Sequence, residues 1–190
     1  MMLDLETGLP LVLPGLVILL WYLRTRRGFT AGRLVAVTGF AVYLLGVSSY
    51  TIFPIRLDSE YIEVFRRQTR LLDGVNLVPL KGWSLEYLTG VQGWGNLVLG
   101  MPWGFGYPVV MPASGWRWRP VAKSGAVFAA SIELAQLAIS LAYGFAYRVI
   151  DINDFLLNFA GVMLGYTLLR SLVSLHQAIS GRRLPRDVRE

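Results

Sequence analysis

With 190 residues the chain has material for one domain, and 54% of those residues are hydrophobic, more than a soluble domain of this size needs to fill its core. It has no cysteine and one histidine, His176 near the far end, which excludes disulfides, thiolate metal sites, a cysteine nucleophile and histidine-based triads or zinc chemistry. The net charge of +6 is read as setting topology and holding anionic head groups, and not as nucleic-acid binding.

The first apolar run, Leu9 to Leu23, carries Pro10 and Pro14 near its start and closes on Arg24, Arg26 and Arg27. A cleaved signal peptide has basic residues first and small residues last, the reverse of this order, so the run reads as an uncleaved helix beginning near Leu5. The second run, Leu34 to Ile55, is free of charge and long enough to cross a hydrocarbon core of about 30 Å. Gly39, Tyr43, Gly46, Tyr50 and Phe53 share one of its faces and are expected to pack against a neighbouring helix, with Tyr50 set apart as a candidate site residue.

Residues 56 to 90 mix charged and apolar positions in a pattern that suits an amphipathic segment on the membrane surface. Within it Pro79 biases the Asn76 to Leu80 stretch to extended backbone, from which the Asn76 amide can turn towards the bundle. A third span over about Val91 to Pro112 aligns Gly93, Asn96, Gly100, Gly104 and Tyr107, and Pro102 is expected to kink or break it. The loop Ala113 to Lys123 joins Trp116 and Trp118 to Arg117, Arg119 and Lys123, an interfacial anchor. A fourth span from Ser124 to Tyr143 and a fifth from about Asp151 to Val173 follow, and Gly181 to Glu190 is expected to be a basic tail.

The predicted architecture is therefore all-α: an integral membrane bundle of about five transmembrane helices, one domain over residues 1–180, with an amphipathic extracytoplasmic segment between helices 2 and 3. With five spans, twelve of the 18 cations fall in the loops after the first and third spans and at the C-terminal end. This places the C-terminus in the cytoplasm and the N-terminus outside.

The chemistry concentrates in residues 131 to 158. Glu133 and Gln136 lie inside an apolar run, Arg148 sits in a short turn, and Asp151, Asp154 and Asn158 open the next run. Ionisable groups in such surroundings are costly unless paired or hydrated, so they mark a candidate site. Asp151, Asp154, Asn158, Gly161 and Gly165 fall in one helical stripe, and so do Gly125, Ala129, Glu133, Gln136 and Ser140. Antiparallel helices would then set small residues against small ones and polar against polar, giving an outward-opening polar pocket over a tight crossing. Glu133 stands about 15 Å along its helix from Tyr143, while Asp154 is expected at the interface. That mismatch requires water, protonation or an arginine at Glu133.

The residues Y-T-I-F-P (Tyr50 to Pro54), N-L-V-P-L (Asn76 to Leu80), N-L-V-L-G-M-P-W-G-F (Asn96 to Phe105), S-I-E-L-A-Q (Ser131 to Gln136) and R-V-I-D-I-N-D-F-L-L-N-F-A-G (Arg148 to Gly161) resemble the VanZ-like family of bacterial membrane proteins. Leu80 and Met101 stand where phenylalanine is common. The resemblance implies a multi-pass protein of the bacterial cytoplasmic membrane, within the cell envelope, in some members linked to teicoplanin-type glycopeptide resistance.

Three functions compete. In the first, a non-enzymatic protein binds an amphiphile, such as a lipoglycopeptide or a lipid-linked wall precursor, through Tyr50, Asn76, Asn96, Glu133, Gln136, Arg148, Asp151, Asp154 and Asn158. In the second, Glu133 and Asp154 are catalytic on a lipid-linked or phosphorylated substrate, with Asp151, Asp154 and Asn158 a sparse set for Mg²⁺. In the third, Glu133 couples protons in a small transporter, which would require a homo-oligomer because no inverted repeat is visible. Against all three stands a packing role: Arg148 paired with Asp151 or Asp154, and Glu133 bonded to Gln136 or Asn96. The expected partners are membrane lipids and such an amphiphile, with no resident metal or cofactor.

Overall fold

The computed structural model describes residues 2–111 and 117–181. Trp116 of the expected anchor, Pro112 at the end of the expected third span and residues 182–190 of the basic tail lie outside the described residues. The chain is mostly helical, with seven α-helices among the described residues, and divides into two compact units. Among the described residues three helices are long and apolar enough to cross a membrane: α2 (Ala31–Thr51), α6 (Trp118–Tyr143) and α7 (Ile152–Ser180). The expected first and third spans also form continuous helices, α1 (Leu5–Arg26) and α5 (Val91–Val110). In α5 the glycines, the prolines, Gln92 and Asn96 dilute the apolar content.

The first unit comprises Met1–Val78 and Ser131–Ile152. A two-residue strand, β1 (Met2–Leu3), pairs antiparallel with β2 (Ile55–Arg56). Between them α1 and α2 form a hairpin that turns at Gly28, whose φ of 65° suits a residue without a Cβ. Arg24 donates to the Phe29 carbonyl there, and the Thr30 side chain caps α2 by accepting from the Arg33 N–H. Pro10 and Pro14 lie inside α1, which runs on through both.

Among the described residues the packing expected for the Gly39 and Gly46 face of α2 is not found. A Cβ built on either glycine meets nothing within 4 Å, and the buried side chains of α2 are Val37, Val47 and Thr51. Ala41, Leu44, Leu45 and Ser48 turn instead towards Val12, Gly15, Leu16 and Leu19 of α1 around an apolar cavity of about 330 Å³. The glycine spacing defined a face, but the α1 contact takes another one.

α2 ends at Thr51, three residues before Pro54, where the run was expected to end, because that proline biases its predecessor away from helical backbone. The amphipathic stretch that follows is helical only over α3 (Ser59–Gln68). A 3₁₀ turn over Leu71–Gly74 leads to β3 (Val75–Asn76), which pairs in parallel with β4 (Ile150–Asp151) in the register Val75 to Ile150 and Asn76 to Asp151. A Cβ on Gly74 would lie 2.7 Å from the Ala146 Cβ and 3.1 Å from the Arg148 carbonyl oxygen, so glycine permits this close approach.

The second unit comprises Pro79–Ala130 and Asn153–Glu190. It opens with a turn in which Leu80 adopts φ 65° and Gly82 φ 78°, followed by the short helix α4 (Leu85–Thr89) and then α5. α6 starts at Trp118, six residues before the expected Ser124, because Pro120 falls in its first turn, where no intrahelical N–H is needed. α7 runs seven residues past the expected Val173.

Within this unit α5 and α7 run in the same direction and touch backbone to backbone. A Cβ on Gly100 would lie 2.0 Å from the Asn158 carbonyl oxygen, and one on Gly104 1.8 Å from that of Val162. In return, Gly161 and Gly165 would strike the Leu97 and Met101 carbonyls at 2.0 and 1.9 Å. The partner of the Gly161 and Gly165 stripe is thus α5, and not the Gly125 and Ala129 stripe of α6. Gly125 instead receives the Val162 side chain, at 2.6 Å from an added Cβ. Two four-residue glycine repeats allow closer contact than one repeat facing alanine.

Candidate functional site

The polar set is divided between the two units. In the first, its placement follows from two largely irregular stretches of backbone, residues 51–56 from the last residue of α2 to the short β2, and 144–151 from the end of α6 to the short β4. Buried backbone donors and acceptors must find partners, and in a membrane irregular backbone survives only where protein satisfies it.

Gln136 donates through Nε2 to the Thr51 carbonyl at 3.2 Å, and Arg148 donates through Nη2 to the Ile52 and Phe53 carbonyls at 2.9 and 2.8 Å. Tyr147 donates to the Pro54 carbonyl at 2.6 Å and accepts from the Arg56 N–H at 3.3 Å, while the Tyr143 hydroxyl donates to the Arg56 carbonyl. Five carbonyls in six residues are therefore bonded by side chains from 136 to 148. The Arg148 charge also stands at the C-terminal end of α2, where the helix dipole favours a cation.

The second stretch is held from α6. Ser140, fully buried, donates to the Arg148 carbonyl at 3.2 Å and accepts from the Arg148 N–H at 3.0 Å. Glu133, 9% exposed, accepts the Asp151 N–H on Oε2 at 3.0 Å. Asn76 donates to Asp151 Oδ1 at 2.8 Å, so its amide turns inward from non-helical backbone, as Pro79 led us to expect.

These bonds resolve the depth of Glu133. From Ser140 to Glu133 is seven helical residues, about 10 Å, and from Arg148 to Asp151 is three extended residues, also about 10 Å. The chain doubles back along α6 after Tyr143, so Asp151 lies level with Glu133, ten residues in from that helix end. The Glu133 carboxylate is thus met by a backbone N–H, where water, protonation or an arginine was expected. Tyr50 is 55% exposed on α2.

In the second unit Asp154 accepts the Tyr87 hydroxyl on Oδ1 at 2.8 Å, with Gln92 Nε2 at 3.4 and 3.5 Å from its two oxygens. Asn153, 1% exposed, accepts the Leu80 N–H at 2.7 Å and donates to the Lys81 carbonyl at 3.0 Å, fixing the turn that holds Leu80 in the left-handed region. Asn96 and Asn158 are buried on α5 and α7, and Asn96 Nδ2 and Asn158 Oδ1 have no hydrogen-bond partner.

Sequence reasoning missed Asn153, Tyr87, Gln92, Thr51 and the hydroxyls of Tyr143 and Tyr147. Asn153 sits inside the D-I-N-D run but off the three-and-four stripe, and the other five lie in ordinary aromatic or polar contexts. In the first unit two buried atoms of the expected set also lack partners, the acceptor Gln136 Oε1 and the donor Arg148 Nε. Among the described residues no group of three or more His, Cys, Asp or Glu side chains is placed to hold a metal ion.

A helical membrane protein with polar side chains bracing broken backbone is the class that this fold and site define. A family model described as VanZ/LLP1 matches residues 40–174, and the chain belongs to the VanZ-like family. No curated protein and no solved structure matches it.

Proposed function

We propose that this VanZ-like membrane protein binds an amphiphile rich in amide and hydroxyl groups, of the lipoglycopeptide or lipid-linked wall-precursor class, and thereby contributes to teicoplanin-type resistance. What carries the reading is the pair of unpartnered buried atoms, Gln136 Oε1 and Arg148 Nε. Both side chains are pinned at their other nitrogens to the successive carbonyls of Thr51, Ile52 and Phe53. An acceptor and a donor are thereby held in advance of any ligand, and an amide or a hydroxyl supplies the complement to each. Asn76, Glu133 and Asp151 position the segment that carries Arg148, while Asp154 in the other unit holds Tyr87 and Gln92. In the orientation given by the cation distribution, this end of α6 faces outward, and external labelling of a Ser59→Cys variant checks it.

The test compares wild type with Gln136→Leu and Arg148→Ala at matched membrane levels, measuring teicoplanin and vancomycin susceptibility beside a lipid-extract profile. Loss of teicoplanin protection with an unchanged lipid profile is expected, together with a fall of about tenfold in amphiphile affinity. A lipid profile that changes with Glu133→Gln would replace binding by catalysis, and unaltered susceptibility in all variants would leave the polar set a brace alone.

A further inference from the structure

A second feature of the first unit lies beside the first along α6. Ile139, Ala142 and Tyr143 line a cavity of about 390 Å³ with Ile55, Leu57, Ile62 and one cation, Arg66. Every lining group except that guanidinium is apolar or aromatic, which suits a hydrocarbon chain, and the volume is within the range of small-ligand sites.

Arg66 is the distinguishing member. Its Nε and Nη2 donate to the Tyr143 carbonyl at 3.2 and 2.9 Å, so the guanidinium is oriented by a neutral oxygen that leaves its charge uncompensated. The acid one turn earlier on α3, Glu63, is taken by Arg67. Arg56, just before α3, stacks over Tyr61 at 4.6 Å. The charge left at the cavity is positive, on an amphipathic helix in a protein with membrane-spanning elements.

We infer that this cavity holds an acyl chain of an acidic phospholipid whose phosphate is bound by Arg66. A phosphate diester supplies oxygens for the remaining guanidinium N–H groups, a charge-assisted bond that a zwitterionic lipid offers less well because its own cation competes. The site is independent of the Gln136 and Arg148 pair, and neither stands on the other.

The experiment uses the full-length protein in detergent, loaded with equal amounts of phosphatidylglycerol and phosphatidylcholine, and reads retained lipid by native mass spectrometry. Wild type is expected to retain phosphatidylglycerol about tenfold over phosphatidylcholine. Arg66→Gln, a surface change that circular dichroism checks for folding, is expected to bring the ratio to near one. Ile139→Trp, which fills the cavity, is expected to lower retention of both lipids. A wild-type ratio near one, a preference that survives Arg66→Gln, or retention untouched by Ile139→Trp would overturn the inference, the last by showing annular lipid only. Gln136→Leu is expected to leave the ratio unchanged, which separates failure of this site from failure of the amphiphile site.

Discussion

The two units solve opposite problems. In the first, backbone leaves regular structure at residues 51–56 and 144–151, and side chains are added to meet it: Gln136, Arg148, Tyr143, Tyr147, Ser140 and Glu133 each bond a main-chain group there. In the second, α5 and α7 keep their internal hydrogen bonds, and side chains are removed so that the backbones meet at Gly100, Gly104, Gly161 and Gly165. Polar residues in a membrane segment are thus a consequence of broken backbone in one place, and glycines a consequence of intact backbone in the other.

The comparison breaks most sharply at the glycines. Gly161→Ala or Gly104→Ala drives a methyl into a carbonyl oxygen, and we expect a loss of about 3 kcal/mol or outright failure to fold, read as thermal unfolding in detergent. Gly39→Ala in α2, where nothing lies within 4 Å, should stay within about 0.5 kcal/mol. Equal effects at the two sites would mean that the α5 and α7 contact is not the one described.

Next in size is Arg148→Ala, which leaves the Ile52 and Phe53 carbonyls unmet and should cost about 2–3 kcal/mol. Arg148→Lys should recover only part of that, since the one nitrogen that meets both carbonyls, Nη2, is replaced by an ammonium on a shorter stem that also lacks Nε. Full recovery by lysine would reduce the role of Arg148 to charge. The smallest effects belong to the turn at Leu80. Asn153→Ala should destabilise by about 1–2 kcal/mol, because two hydrogen bonds to the turn are lost, whereas Leu80→Gly should be neutral or stabilise by a few tenths, since φ 65° suits glycine. Destabilisation by Leu80→Gly would show that the leucine side chain, and not the backbone, holds the turn.

Much of this organisation was legible in the chain. The start of α1 near Leu5, the start of α5 at Val91, the end of α6 at Tyr143 and the non-helical Asn76 segment follow from apolar runs and proline positions. So does the singling out of Glu133, Gln136, Arg148 and Asp151, because polar groups stand out against an apolar background. Asn153 and Tyr87 did not stand out: one is off the helical stripe, the other an aromatic residue in a mixed segment, and both act on residues more than 65 positions away.

By itself the sequence determined that this is a helical membrane protein of the VanZ-like family, which faces its helices have and where its costly polar groups lie. Periodicity and polarity are local properties and are written locally. Only the tertiary structure decided what those faces and groups meet. The Gly161 stripe takes α5 and not α6, the chain doubles back to bring Asp151 level with Glu133, and Arg148 bonds the carbonyls of Ile52 and Phe53. Each of these joins residues distant in sequence: the first is chosen by which helix surface lets two intact backbones touch, the other two by which buried backbone group needs a partner, conditions that exist only once the chain has folded.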